Sequence, residues 1–134
     1  MSLNEALKNL VSDVDGAMAC AVVDLDSGLM LAAHHDVPYF SQAYVDAVAA
    51  SAVDMFRGRT ITTVEKLLSA ERGKEVSKSI KEVQMTTDGT YHFMTVVTGK
   101  PDALLVLITN RSANLGMGWT AVRRANSVIA PLCP

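Results

Sequence analysis

Two stretches of this chain are apolar in every direction, and the other segments are arranged around them. In Ala17–Leu25 the odd positions carry Ala17, Ala19, Ala21, Val23 and Leu25, and the even ones Met18, Cys20 and Val22 before Asp24. Ala103–Thr109 (A-L-L-V-L-I-T) is likewise apolar on both faces. Short runs of this kind read as strands covered on both sides. The alanine-rich face of the first would let a helix approach closely. A second apolar run, Leu29–Ala33, follows after Asp26-Ser27-Gly28, which reads as the turn of a tight hairpin.

Helical spacing brackets these strands. Ser2 and Glu5 form a capping box, and Leu3, Ala6, Leu7, Leu10, Val11 and Val14 follow at helical intervals. This first helix should run to about Asp13, with Gly16 as the breaker. After a connector from His34 to Tyr39, a long helix starts near Phe40 or Ser41. Val45, Val48, Ala49, Ala52, Met55 and Phe56 form its stripe, which Tyr44, Ala47 and Ser51 widen. Arg57-Gly58-Arg59 interrupts the pattern, and Ile61, Val64, Leu67 and Leu68 resume it after a kink or short loop.

Glu71–Lys78 is a polar linker. Ser79–Thr86 and Thr90–Thr98 flank Thr87-Asp88-Gly89, a hairpin turn signal. The first of these strands is polar and suits a sheet edge. The second puts Tyr91, Phe93, Thr95 and Val97 on one face and His92, Met94 and Val96 on the other. Gly99–Asp102 is a turn. Ser112 or Asn114 caps a last helix with Leu115, Trp119, Val122, Ala125 and Ile129 inward, stopped by Pro131. The order is α-β-β-α-β-β-β-α in one domain, 1–134. The implied fold is α+β: a five-stranded, mainly antiparallel sheet with helices on both faces, the two doubly apolar strands central and adjacent, and the Ser79 strand at an edge.

Composition changes this picture in one respect. The chain of 134 residues is 49% hydrophobic with mean hydropathy +0.22, so apolar surface must be buried or form a patch, and large patches mark interfaces. With 12 basic and 14 acidic residues the net charge is -2, so no large overall field favours nucleic acid or an anionic membrane. Aromatic residues make up 5%, too few for a base-stacking platform. No apolar run is long enough to span a bilayer, so membrane insertion is not expected. Cys20 and Cys133 form no disulfide framework or metal spacing, no leader pattern precedes Glu5 and Lys8, and a cytoplasmic location follows.

The arrangement of a short amphipathic helix, then D-G-A-M-A-C-A-V-V-D-L-D-S-G-L-M-L-A from Asp15 to Ala32, then a long alanine-rich helix resembles the Roadblock/LC7 family. The Asp-Gly hairpin, the A-L-L-V-L-I-T strand and the closing helix extend the resemblance over nearly the whole chain. The resemblance implies a sheet of order 2-1-5-4-3, with first and last helices on one face and the long helix on the other. It also implies dimers formed through the long helix and the edge strand, and non-catalytic scaffolds or regulators of small Ras-like GTPases. The segment Arg57–Ser79 is longer and more polar than the family pattern.

Candidate chemistry is sparse. Asp24-Leu25-Asp26-Ser27-Gly28 has the spacing of an aspartyl nucleophile motif, but Asp, Ser and Gly are also what a turn requires. His34-His35-Asp36 is the one metal-like cluster, and adjacent side chains of an extended segment point opposite ways. His92 sits on a strand. Cys20 between alanines reads as a small hydrophobe rather than a nucleophile. Gly116-Met117-Gly118 lacks the Gly-Lys-Ser/Thr of a phosphate loop and reads as close packing or a bend. No catalytic residue, metal site or cofactor is therefore expected. Arg57, Arg59, Arg123 and Arg124 could face a partner's acidic surface or supply an arginine finger to a GTPase, although solubility is the usual explanation for arginine at a helix end or outer face; Arg57 and Arg59 are the partner candidates. Tyr44, Val48, Ser51 and Met55 form a row at helical spacing that reads as core for about half of its members and, for the others, as a face that meets its copy in a homodimer, with Ile80, Val83 and Met85 on the edge strand continuing the interface. A rival function is small-molecule sensing in a profilin- or PAS-like fold, for which Tyr44, Tyr91 and His92 are the few polar candidates.

Overall fold

The computed structural model describes Met1–Pro134. Helix α1 spans Leu3–Asp13, and the Ser2 hydroxyl accepts the Glu5 amide at 3.1 Å, as the capping box requires. Strands β1 (Ala17–Asp24) and β2 (Met30–His35) form the first hairpin. Helices α2 (Gln42–Arg57) and α3 (Arg59–Arg72) follow, separated by Gly58 alone. Then come β3 (Glu82–Thr86), β4 (Thr90–Val97), β5 (Lys100–Asn110) and α4 (Leu115–Ile129), which ends in a 3-10 turn over Ala130–Leu132. The five strands form one sheet of order β2-β1-β5-β4-β3, with every neighbouring pair antiparallel.

Both central strands bury both faces, because each face meets a different layer. Leu7, Leu10 and Val11 of α1 and Val122 and Ile129 of α4 close over Cys20, Val22, Phe93, Leu105 and Leu107. On the other face Ala49, Ala52 and Phe56 of α2 close over Ala19, Val23, Met94, Leu104 and Val106. The alanine face of β1 is thus the one that admits α2. A register shift between Ala17 and Ala19 moves Ala17 out of that face and onto the α1 side.

Several boundaries differ from the sequence expectation. β2 runs Met30–His35 rather than Leu29–Ala33, because His34 and His35 pair with Cys20 and Ala19 instead of forming a connector. β5 begins at Lys100, since Gly99 at φ +75 makes the turn and Lys100 already pairs with Val97. α4 buries Asn126 where Leu115 was expected inward, and Leu115 is exposed. The reason lies in hydrogen bonding: the Asn126 side chain accepts the Thr98 amide at 2.9 Å and donates to the Val96 carbonyl at 3.1 Å, closing the end of β4. The expected interruption at Gly58 is a break between two helices. A Cβ there would collide with the Asp54 carbonyl that accepts the Gly58 amide at 3.0 Å, so glycine permits the tight end of α2. No helix is long and apolar enough to cross a membrane.

Candidate interface on the second helix and the sheet edge

Helix α2 starts where Ser41 accepts the Tyr44 amide at 3.1 Å. Its one fully buried row is Ala49, Ala52 and Phe56. Opposite that row Ala43, Ala47, Ala50 and Ser51 are exposed. Small side chains at this spacing leave a smooth ridge on which another helix can approach closely. The expected row is split across the helix. Tyr44 is 38% exposed and Ser51 is exposed, whereas Val48 and Met55 are half-buried against the sheet-side core. Ser51 donates to the Val48 carbonyl at 2.9 Å, so its hydroxyl needs no further partner. The Tyr44 ring stacks on Phe40 at 4.5 Å, which fixes an aromatic corner at the start of the helix. Sequence reading undervalued Ala43 and Ala50, and their spacing from Ala47 on the face away from Phe56 was the available sign.

Strand β3 pairs with β4 only, from Glu82↔Thr95 to Thr86↔Tyr91, and its other edge is open. Val83 and Met85 are half-buried on the α2 side of the sheet. Ile80 was expected on this strand, but it precedes Glu82 and lies half-buried in the connection from α3. β3 thus turns Val83 and Met85 to the side of the sheet that α2 covers, while its outer edge is open.

The arginines divide. Arg57 donates to the Asp102 carboxylate at 2.9 Å and to the Pro101 carbonyl at 2.6 Å, so it holds α2 to β5. Arg59 opens α3 and is exposed. Arg123 pairs with Glu82 at 3.1 Å and lies over the Trp119 ring at 5.1 Å, and Arg124 is exposed. Of the two partner candidates, Arg59 is the one without an ion-pair partner in this chain.

The remaining polar clusters are structural. Asp24 accepts the Asp26 amide at 3.1 Å and the Ser27 hydroxyl at 2.7 Å, with Gly28 at φ +78, which is a turn rather than an exposed nucleophile. Cys20 is buried and its thiol donates to the Leu7 carbonyl at 3.0 Å. Burial pushes that thiol up to about 12, far from the range of a nucleophile. His34 pairs with Asp36 at 3.3 Å, while His35 turns toward the Phe40 ring. No three His, Cys, Asp or Glu side chains converge on a metal position. His92 is buried, hydrogen-bonded to Thr90 at 3.0 Å, and desolvation depresses its basicity. Gly118 lies against Phe93, where a Cβ would come within 2.5 Å of the ring. The glycine therefore serves close packing.

The sequence matches no protein-family model and no curated protein. Solved structures share its architecture over nearly its full length. A Roadblock/LC7 domain from Streptomyces avermitilis superposes with a TM-score of 0.72 at 17% identity, covering 98% of this chain and 97% of that one. The gliding protein MglB from Thermus thermophilus gives 0.74 at 19% identity, covering 97% and 87%. Profilin IA from Acanthamoeba castellanii gives 0.52 at 11% identity, covering 97% and 98%. The fold is that of the Roadblock/LC7 domains, with profilin a more distant relation of shape.

Proposed function

We propose that this chain, built on the Roadblock/LC7 fold, is a homodimeric, non-catalytic module of the cytoplasm that binds and regulates a small Ras-like GTPase. Two observations carry the dimer: the exposed ridge of Ala43, Ala47, Ala50 and Ser51 on α2, and the open edge of β3. Two copies related by a two-fold axis would lay ridge on ridge and continue the sheet from β3 to its copy. The GTPase reading rests on the family resemblance and on likeness of fold to MglB. With Arg57 committed to Asp102, the module acts by the shape of its surface, and Arg59 is its free cation at the end of that surface.

The small-molecule reading is weaker. The apolar crevice between β1, β2 and the start of α2, lined by Met30, His35, Phe40 and Val48, holds about 30 Å³. Ligand pockets run to roughly 300–1,000 Å³ and are lined mainly by apolar side chains, whereas the two crevices of that size here, about 330 and 510 Å³, each have two hydrophobic residues among nine.

Replacing Ser51 with Glu tests the proposal, because it buries a carboxylate in the ridge of a dimer and touches nothing in a monomer. Sedimentation should show a dimer for the wild type and a monomer for the variant. The variant should also lose binding to whichever Ras-like GTPase the wild type retains in a purified-component screen. A dimer that survives Ser51→Glu excludes this face.

A further inference from the structure

Helix α3 meets the rest of the protein most deeply through a polar group. Its one buried residue is a glutamate, Glu65, at 5% exposure. Glu65 accepts the Ser79 amide at 2.7 Å and the Ser79 hydroxyl at 2.6 Å. One turn later the Ser69 hydroxyl accepts the Val76 amide at 2.7 Å. Polar ties to the connection that follows therefore hold the helix in place. Its apolar residues divide: Ile61 and Leu68, four before and three after Glu65, are half-buried on its side of the helix, while Val64 is 45% and Leu67 67% exposed. A 14-residue helix pinned by buried polar groups thus turns the pair Val64 and Leu67 toward an external surface.

Charge says which surface. Seven of the 12 basic residues fall between positions 57 and 81, against three of the 14 acidic ones, so this segment carries +4 while the remaining five basic and eleven acidic residues carry -6. The overall charge of -2 conceals this division. Asp102 neutralises one charge between Arg57 and Lys78. Arg59, Lys66, Arg72, Lys74 and Lys81 are exposed and without an acidic partner in the chain, against exposed Glu71 and Glu75. An exposed apolar pair on a segment with this excess of cations suits an anionic surface, with Glu71 the acidic residue that shares the face of Val64 and Leu67.

We propose that α3 is a peripheral docking element for an anionic lipid bilayer, laying Val64 and Leu67 among the headgroups while the surrounding lysines and arginines meet lipid phosphates. It docks without crossing, and it does so whether or not the chain dimerises through α2.

The test is co-flotation of the full chain with phosphatidylcholine vesicles, with and without phosphatidylglycerol. Binding should require phosphatidylglycerol and fall as salt is raised. Leu67→Asp should abolish it, with far-UV circular dichroism and thermal melting unchanged because the residue is exposed. The double variant Lys66→Gln, Arg72→Gln should lower partitioning by roughly thirtyfold, a factor of about five for each basic residue near the surface. No binding to the anionic vesicles, equal binding to both kinds, or binding untouched by Leu67→Asp would each overturn the proposal.

Discussion

Arg57, the last residue of α2, is joined to Asp102 of β5 at 2.9 Å, and Lys78 reaches the same carboxylate oxygen at 3.1 Å. One carboxylate therefore anchors both the break between α2 and α3 and the connection that leads into β3. These are the two places where the chain departs from the Roadblock/LC7 pattern of its sequence, so Asp102 sets how the unusual segment sits on an otherwise ordinary sheet.

Asp102→Asn should lower the unfolding free energy by about 1 kcal/mol, the scale of a partly exposed ion pair. Hydrogen bonds from Arg57 and then Lys78 hold the Asp102 carboxyl below its ordinary value of 3.8. A depressed carboxylate stabilises fully above its unfolded value and stops doing so as pH falls through the folded one. Urea titrations of wild type and variant should therefore differ at neutral pH and converge in acid.

Glu65→Gln should loosen the connection between α3 and β3 rather than the whole molecule. The Ser79 hydroxyl and amide draw the Glu65 carboxyl down in spite of burial, so the charged form is the one that fastens the strap. Losing a charge-assisted pair of this kind costs roughly 1.5–3 kcal/mol locally. Hydrogen exchange at the Ser79 amide and along Glu82–Thr86 should accelerate, with the amides of β1 and β5 unchanged.

Gly118→Ala should destabilise the fold by about 1–3 kcal/mol, because the added methyl enters the space of the fully buried Phe93 ring. Thermal melting reads this directly. Gly73→Ala would separate space from conformation, since nothing lies near Gly73 but its φ is +67.

Cys20 should resist alkylation by iodoacetamide in the native protein at neutral pH and react on unfolding. Its thiol is buried and pushed up to about 12 by desolvation. Cys20→Ala should cost about 1 kcal/mol for the lost packing, read by thermal melting.

Much of the fold was legible because burial on two faces leaves a plain mark. Ala17–Leu25 and Ala103–Thr109 read as central strands from their side chains alone, and they are β1 and the heart of β5. The broken helix at Gly58 was legible for a similar reason, since no residue with a Cβ fits there. What escaped reading is what depends on a distant partner. Asn126 is buried only because β4 ends beside it, and Glu65 only because Ser79 returns to it fourteen residues later. Arg57 looked like a free cation because Asp102 is far away in sequence. The row Tyr44, Val48, Ser51 and Met55 divides between surface and core, and helical spacing alone could not say which of its members meet the sheet.

The dimer is the central claim, and the most direct test is the solution mass of the wild-type chain by light scattering across a hundredfold dilution. A persistent mass of twice the 14.3 kDa chain is expected, with the α2 ridge and the β3 edge buried between copies. A mass of 14.3 kDa throughout would contradict it, leaving the alanine ridge as solvent-facing surface and the regulatory reading without its interface.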